Sequence, residues 1–407
     1  MLQKRYILYF LFACLFTIIG CKKLLPKAPA DDQLLDGPIE GLTPEQKIQF
    51  LAGDVAFNDD IFTAQTGLGP YFVANSCGSC HAGDGKGHPF TTLIRFGQAD
   101  TSGNTFMAKG GPQLQNRAIP GYTPEQLPAG ATFSKFTPPA NTGLGFLEAL
   151  ADAQILANAD PSDLNGDGIS GVPNYINPPS YFHPKAHHIV NNGRYIGRFG
   201  KKAAAIDLWH QTVNAYVQDM GVTSEYSSSE PGINGVANPY GDGVPDPEIP
   251  SSTVQNVVFY LRTLKTPVQR NQNDPNVESG KNIFKNIGCE KCHIANWKTN
   301  KADIDALSYK EFHPYTDLLL HDMGPALNDN YTEGVAKTAE WKTPALWGLG
   351  LSKNSQGGSY FLMHDGRATS INDAIMLHGG EGENSKSTYE NLSESEKTDL
   401  IKFLESL

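Results

Sequence analysis

"CGSCH", Cys77–His81, and its second copy in "GCEKCH", Gly288–His293, decide how this chain is read. Each places two thiols and an imidazole in the order C-x-x-C-H. A zinc site wants four ligands in two clustered pairs, and each pentad supplies three. A thioredoxin-like dithiol needs no His after its second Cys and lies near a βαβ pattern, which the sequence lacks. In C-x-x-C-H the two cysteines add to the vinyl groups of a haem and the adjacent His becomes the proximal iron ligand. With only six Cys in 407 residues, two matches are not chance. The expectation is two covalent c-type haems, attached at Cys77, Cys80 and at Cys289, Cys292, with His81 and His293 on iron.

The chain is 39% hydrophobic and 18% charged, a composition for packed cores rather than disorder. Its net charge of −11 argues against nucleic acid as a partner, since nucleic-acid binders gather basic patches. The first residues, "MLQKRYILYFLFACLFTIIGCKK", set Lys4 and Arg5 ahead of an apolar run from Tyr6 to Ile19. That run is short for a membrane span and reads as a signal peptide, residues 1–20. It closes on "IIGC", which resembles a bacterial lipobox. Cys21 is then the lipidated mature N-terminus, or an incidental Cys behind an uncleaved anchor. The residues after Cys21 favour the outer membrane, with the protein facing the periplasm of a bacterial cell envelope. Residues 21–44 have the polar, Pro-containing composition of a tether. Cys14 leaves with the leader, Cys21 takes lipid and the other four bind haem, so no thiol remains for a structural disulfide.

A short amphipathic segment precedes each pentad, "TPEQKIQFLAGDVAFNDDIF" and "SGKNIFKNIG". A helical pattern also closes each unit. In "STVQNVVFYLRTLKTP", Val254, Val257, Val258, Leu261 and Leu264 form one stripe and Pro267 stops it. In "LSESEKTDLIKFLESL", Leu400, Ile401, Leu404 and Leu407 repeat the device behind a Ser393/Glu396 capping box. The fold class is therefore mainly α: two cytochrome c-like haem domains, residues 45–267 and 268–407. The first carries a long, irregular, loop-rich insertion over residues 82–250, with helical patterns at "LGFLEALADAQILANA" and "AAIDLWHQTVNAYVQDMG". "VQRNQNDPNVE" between the units has linker composition.

Several ordered blocks resemble one family: "GLGPYFVANSCGSCHAGDGKG", "GPQLQNRAIPG", "GLGFLEALADAQILANADPSDLNGDGISGVPN", "HDMGPAL", "EWKTPALWGLGL" and "FLMHDGRATSINDAIMLHGGEG". They are similar to the di-haem oxidoreductases labelled as peroxidases or thiol oxidoreductases, distant relatives of bacterial di-haem cytochrome c peroxidases. The resemblance spans about residues 45–407. It implies a C-terminal haem that passes electrons and an N-terminal haem that reduces peroxide. It carries the sixth ligand of the C-terminal haem onto His378, where the relatives have Met; Met363 and Met376 are the rivals. Imidazole favours ferric iron more than thioether does, so His at this position lowers the haem potential. For acid–base work over the first haem the relatives use a Gln and a Glu, and Gln113 and Glu148 are the corresponding candidates. Burial would raise the Glu148 pKa toward proton transfer. The alternative is a structural carboxylate paired with Arg117, Arg194 or Arg198.

In "DLNGDGISGVPN", Asp163, Asn165 and Asp167 take positions 1, 3 and 5 of a calcium loop, but Asn174 stands where a bidentate Glu belongs. The relatives hold calcium between their haems, so the loop is a structural calcium site or a plain Asx turn. His210, His313, His321 and Met323 are candidate sixth ligands of the first haem. The expected partners are a small electron-donor protein or quinol-linked donor, a small oxidant such as peroxide, and the membrane through the lipid. The functional expectation is a di-haem c-type oxidoreductase. Its rivals are a non-catalytic two-haem wire and a haem enzyme oxidising a thiol or a protein.

Overall fold

The computed structural model describes residues 30–99, 103–230, 232 and 241–407. The leader and Cys21 lie outside the described residues. Asp31–Gln33 forms a single 3-10 turn in a separate N-terminal unit. Residues 35–407 form one unit, and among the described residues helices predominate over small strand pairs, 33% against 11%. Among the described residues no helix is long and apolar enough to cross a membrane.

Helix α1, Pro44–Asn58, starts at a Thr43/Gln46 capping box with Pro44 in its first turn. A short helix α2, Leu144–Glu148, comes after the first pentad in the chain. Helix α3, Leu208–Met220, is capped by Asp207, whose carboxylate accepts from the His210 N–H, and ends at Gly221 with φ +69°. Helix α4, Ser251–Thr263, buries the expected stripe of Val254, Val257, Val258 and Leu261. Helix α5, Pro275–Asn286, leads into the second pentad. Helix α6, Ile371–Met376, precedes His378. Helix α7, Glu394–Ser406, carries the expected Ser393/Glu396 capping box and buries Leu400 and Leu404.

Two crossings repeat one geometry. Helix α1 packs on α4, and α5 packs on α7. Gly53 sits at the first crossing, where a Cβ would fall 2.1 Å from the Asn256 carbonyl oxygen. Gly280 sits at the second, where a Cβ would fall 2.0 Å from the Asp399 carbonyl oxygen. Only glycine lets the backbones approach this closely. Aromatic side chains fill the space beside each glycine, Phe50 and Phe57 against Tyr260, and Phe284 against Phe403.

The expected helix over "LGFLEALADAQILANA" is broken at Ala149–Ala151 into α2 and a second short helix over Asp152–Leu156. The cause is Arg198, fully buried. Its Nη1 donates to the carbonyls of Leu147, Glu148 and Leu150, and its Nη2 pairs with Asp152. One guanidinium thereby takes up the carbonyls that a continuous helix would use. The rest of the insertion is held by two-stranded antiparallel ladders, notably Leu93–Phe96 with Phe133–Phe136. A further ladder, Leu320–Asp322 with Glu340–Lys342, belongs to the second half. The linker-like stretch is tied down, because the Arg270 N–H donates to the Ser406 carbonyl.

Candidate haem-binding cavity

Both pentads open onto one continuous cavity of ≈ 470 Å³. Its wall includes Cys77, Cys80 and His81 from the first pentad, and Cys289, Cys292 and His293 from the second. The four cysteines form no disulfide. Burial pushes the thiols of Cys77 and Cys289 up to about 12 and that of Cys80 to about 11.

Each pentad histidine is oriented the same way. His81 Nδ1 bonds the Pro139 carbonyl at 2.9 Å, and His293 Nδ1 bonds the Tyr315 carbonyl at 2.9 Å. A carbonyl on Nδ1 fixes that nitrogen as the donor and leaves Nε2 as a lone-pair donor to a metal. Burial lowers both imidazoles to about 4, so each ring is neutral, as iron ligation requires. Phe57 flanks His81 and Phe284 flanks His293, with ring centroids 5.9 and 6.2 Å apart. These thiols and imidazoles in a shared apolar cavity fit two haems.

His378 also lines the cavity, and its Nδ1 bonds the Ala374 carbonyl at 2.8 Å, again freeing Nε2. It lies within electrostatic reach of His293. Of its two rivals, Met363 lines the cavity, whereas Met376 is 38% exposed and does not. Of the four candidate sixth ligands for the first haem, only His321 and Met323 reach the wall. Both nitrogens of His321 are engaged, Nε2 with Asp317 at 2.7 Å and Nδ1 with Glu381 at 2.6 Å, and it lies 3.8 Å from Cys292 in the second pentad. His210 Nδ1 accepts from the Ile206 N–H, and His313 is exposed.

The two proposed acid–base residues are not on the wall. Glu148 is buried in a bidentate pair with Arg262, Nε to Oε2 at 2.5 Å and Nη2 to Oε1 at 3.0 Å, and it also accepts from the Leu208 N–H. Burial alone would raise its pKa, but Arg262 holds the carboxyl down at about 2. The expectation of a raised pKa is therefore corrected. The partner is Arg262, not Arg117, Arg194 or Arg198. Gln113 is buried one step behind the wall. Its amide donates to Asp219 and to the Gln218 carbonyl, and accepts from Arg95.

The residues that do line the cavity beside the first pentad come from the insertion, α3 included, and from Glu333 in the second half. Arg95, on the Leu93–Phe96 strand, pairs with Glu333 at 2.8 Å and also reaches Gln218. Asp219 lines the wall, and burial raises its carboxyl to about 6. Its charge acts on both Cys77 and Cys80. Tyr216 Oη and Thr212 Oγ1 are buried without a partner, and both residues line the cavity. Sequence reasoning missed this set because Arg95, Asp219 and Glu333 are far apart in the chain. The one available signal was the polar face "DLWHQTVNAYVQD" on α3.

The loop of Asp163, Asn165 and Asp167 closes on itself. Asp163 Oδ1 accepts from the Asp167 and Gly168 N–H groups, Asn165 Oδ1 accepts from the Asp167 N–H, and Asp167 pairs with Lys291 at 3.0 Å. These are Asx turns.

A fold with two haem-type pentads on one cavity defines a di-haem protein. The chain belongs to the family described as "Di-haem oxidoreductase, putative peroxidase", which matches residues 135–407. The second pentad falls inside that stretch and the first precedes it. Among solved structures, the chain is similar to hydrazine synthase of Kuenenia stuttgartiensis, pressurised with xenon. The identity is 16%, over 94% of this chain and 98% of that one, with a TM-score of 0.39. That likeness bears no weight for the reaction. No curated protein matches.

Proposed function

We propose that this di-haem oxidoreductase is a c-type, cell-envelope enzyme that reduces peroxide or a similar small oxidant beside His81, with electrons arriving through the His293/His378 site. The observation that carries the reading is the asymmetry of the shared cavity. The second pentad is accompanied by an imidazole, His378, with a free Nε2, which suits a six-coordinate relay. The first is accompanied by Arg95, Asp219 and Glu333, a polar set suited to moving a proton and steadying charge.

The haems would be held covalently by the four cysteines, and they supply the electron storage and the site of oxidant binding. The protein's own contribution is positional. Pro139 and Tyr315 orient the proximal rings through Nδ1. Asp219, with a carboxyl near neutrality, holds or releases a proton at Oδ1 or Oδ2, and Gln113 fixes its orientation. Arg95 keeps a positive charge on the wall, anchored by Glu333. Residues 45–267 and 268–407 are taken as two cytochrome c-like halves, with Cys21 as the lipid attachment and a small donor protein or quinol-linked donor as the electron source. Calcium at Asp163, Asn165 and Asp167 is tested by its effect on melting temperature.

The deciding experiment is low-temperature EPR on the haem-loaded protein, fully ferric and half-reduced, before and after peroxide. A high-spin ferric signal abolished by peroxide is the expected result. Two low-spin signals indifferent to peroxide in both redox states would replace the enzyme by a two-haem wire.

A further inference from the structure

The cavity wall carries three lysines that the peroxide reading does not use: Lys86, Lys201 and Lys342. Lys86 follows the first pentad. Lys201 and Lys342 come from segments joined by a backbone bond, the Lys342 N–H donating to the Lys201 carbonyl at 3.0 Å. The three ammonium groups repel one another across this face, since Lys201 feels both Lys86 and Lys342. None is in an ion pair among the described residues. The charged contact of Lys342 is limited to the Thr343 carbonyl at 3.4 Å, and Asp365 and Asp317 act on Lys201 and Lys342 from beyond contact distance.

The other cations of the wall are already satisfied. Arg95 pairs with Glu333, Arg198 with Asp152 and Lys386 with Glu383. Three unpaired ammonium groups facing one apolar cavity are costly unless an anion joins them. Burial lowers them accordingly, Lys201 to about 7 and the other two to about 8. Lys201 also acts electrostatically on His81, so the cluster stands beside the first pentad.

We infer that Lys86, Lys201 and Lys342 form a carboxylate-binding site within the cavity, and that its occupants are haem propionates of the His81 site. The shared chemistry is an anionic oxygen ligand, which a free small anion could also supply. Each haem brings two propionates, and no other unpaired cations on this wall are left to meet them. The inference rests on the reading of covalent haems at both pentads, and its test reports on that reading separately.

The holoprotein is produced with haem carrying ¹³C-labelled propionates, as wild type and as Lys86→Gln, Lys201→Gln, Lys342→Gln and the matching Lys→Arg variants. Pyridine haemochrome stoichiometry comes first; fewer than two covalent haems in the wild type defeats the di-haem reading, not the lysine site. The two measurements are the midpoint potential of each haem and the propionate carboxylate bands in the redox difference infrared spectrum. The expected result is a downward shift of the His81-site potential in the Gln variants, because a nearby positive charge favours the reduced haem. The labelled bands should move with it, and Arg should restore both. A Gln variant that fails to load haem while its Arg counterpart loads normally gives the same answer. The inference is overturned if all three Gln variants keep wild-type potentials and unmoved propionate bands. It is equally overturned if inorganic phosphate shifts the wild-type Soret band but not that of the Gln variants, with propionate bands unchanged, since the site then serves a free anion.

Discussion

Replacing Glu148 by Gln separates a structural carboxylate from a catalytic one. In the folded protein both carboxylate oxygens are taken by Arg262 and one also by the Leu208 N–H. The side chains retain 6% and 18% exposure. The amide carries no charge and turns an NH2 donor toward one of the two guanidinium nitrogens, so Glu148→Gln leaves a mostly buried cation half-paired. Removing one partner of a buried pair costs roughly 3–5 kcal/mol; the residual exposure of Arg262 sets the expectation at about 3 kcal/mol. The assay is guanidinium chloride unfolding of the haem-loaded protein, read as the shift in midpoint. A double variant with Arg262→Met should recover part of the loss, since it buries no orphan charge. The cost must also depend on pH. Because the folded pKa is depressed to about 2 from 4.5, the stabilisation is present above pH 4.5 and lost as pH falls toward 2. The difference between wild type and Glu148→Gln therefore shrinks in that window. Peroxide turnover per folded haem should stay within a few-fold of wild type. A destabilisation below about 1 kcal/mol together with a fall in turnover of roughly 100-fold or more would refute the structural assignment.

Asp219→Asn should lower peroxide turnover by roughly 10²–10⁴-fold with both haems still attached, the range for loss of a general acid–base group; stopped-flow peroxide reduction checks it. His378→Met should raise the midpoint potential of the His293-site haem, seen in a spectroelectrochemical titration, since thioether favours ferrous iron. Asp84 is buried and its carboxyl is raised to about 7, by burial first, while the Tyr260 hydroxyl bonds it at 2.8 Å. Its folded form holds a proton that the unfolded chain releases near pH 4, so stability should fall as pH rises from about 4 to 7. Asp84→Asn should flatten that slope in melting temperature against pH. Gly53→Ala and Gly280→Ala should each destabilise by about 1–3 kcal/mol in chemical unfolding, because the added methyl meets a backbone carbonyl that cannot swing away.

What the sequence made legible was local. The pentads carry their chemistry within five residues, and the closing helices advertise themselves by a 3.6-residue stripe and a capping box. The break between Glu148 and Asp152 was not legible, because its cause is Arg198, and nothing in "LGFLEALADAQ" announces a guanidinium from 50 residues away. The Glu148 partner was missed for the same reason, Arg262 being 114 residues distant. Burial was anticipated correctly at Glu148, but burial sets the direction of a pKa shift only when no opposite charge is buried with it. The polar wall near His81 was hidden because Arg95, Asp219 and Glu333 belong to a strand, a helix end and a loop. Their neighbours in sequence give no sign of a common cavity.

The two halves of the cavity share their support and differ in what they face. Gly53 and Gly280 set the same helix crossings, Phe57 and Phe284 flank the pentad histidines, and carbonyls from Pro139 and Tyr315 fix both rings. The differences all lie elsewhere. His378 comes from the segment after α6, and the Arg95, Asp219 and lysine groups come largely from the long insertion and its contacts. An insertion that only lengthened a redox wire would have no need of a buried carboxyl raised toward neutrality and an anchored guanidinium on one wall. Placing such costly groups in an apolar cavity makes physical sense where charge and protons must be managed, and the first pentad is where they are concentrated.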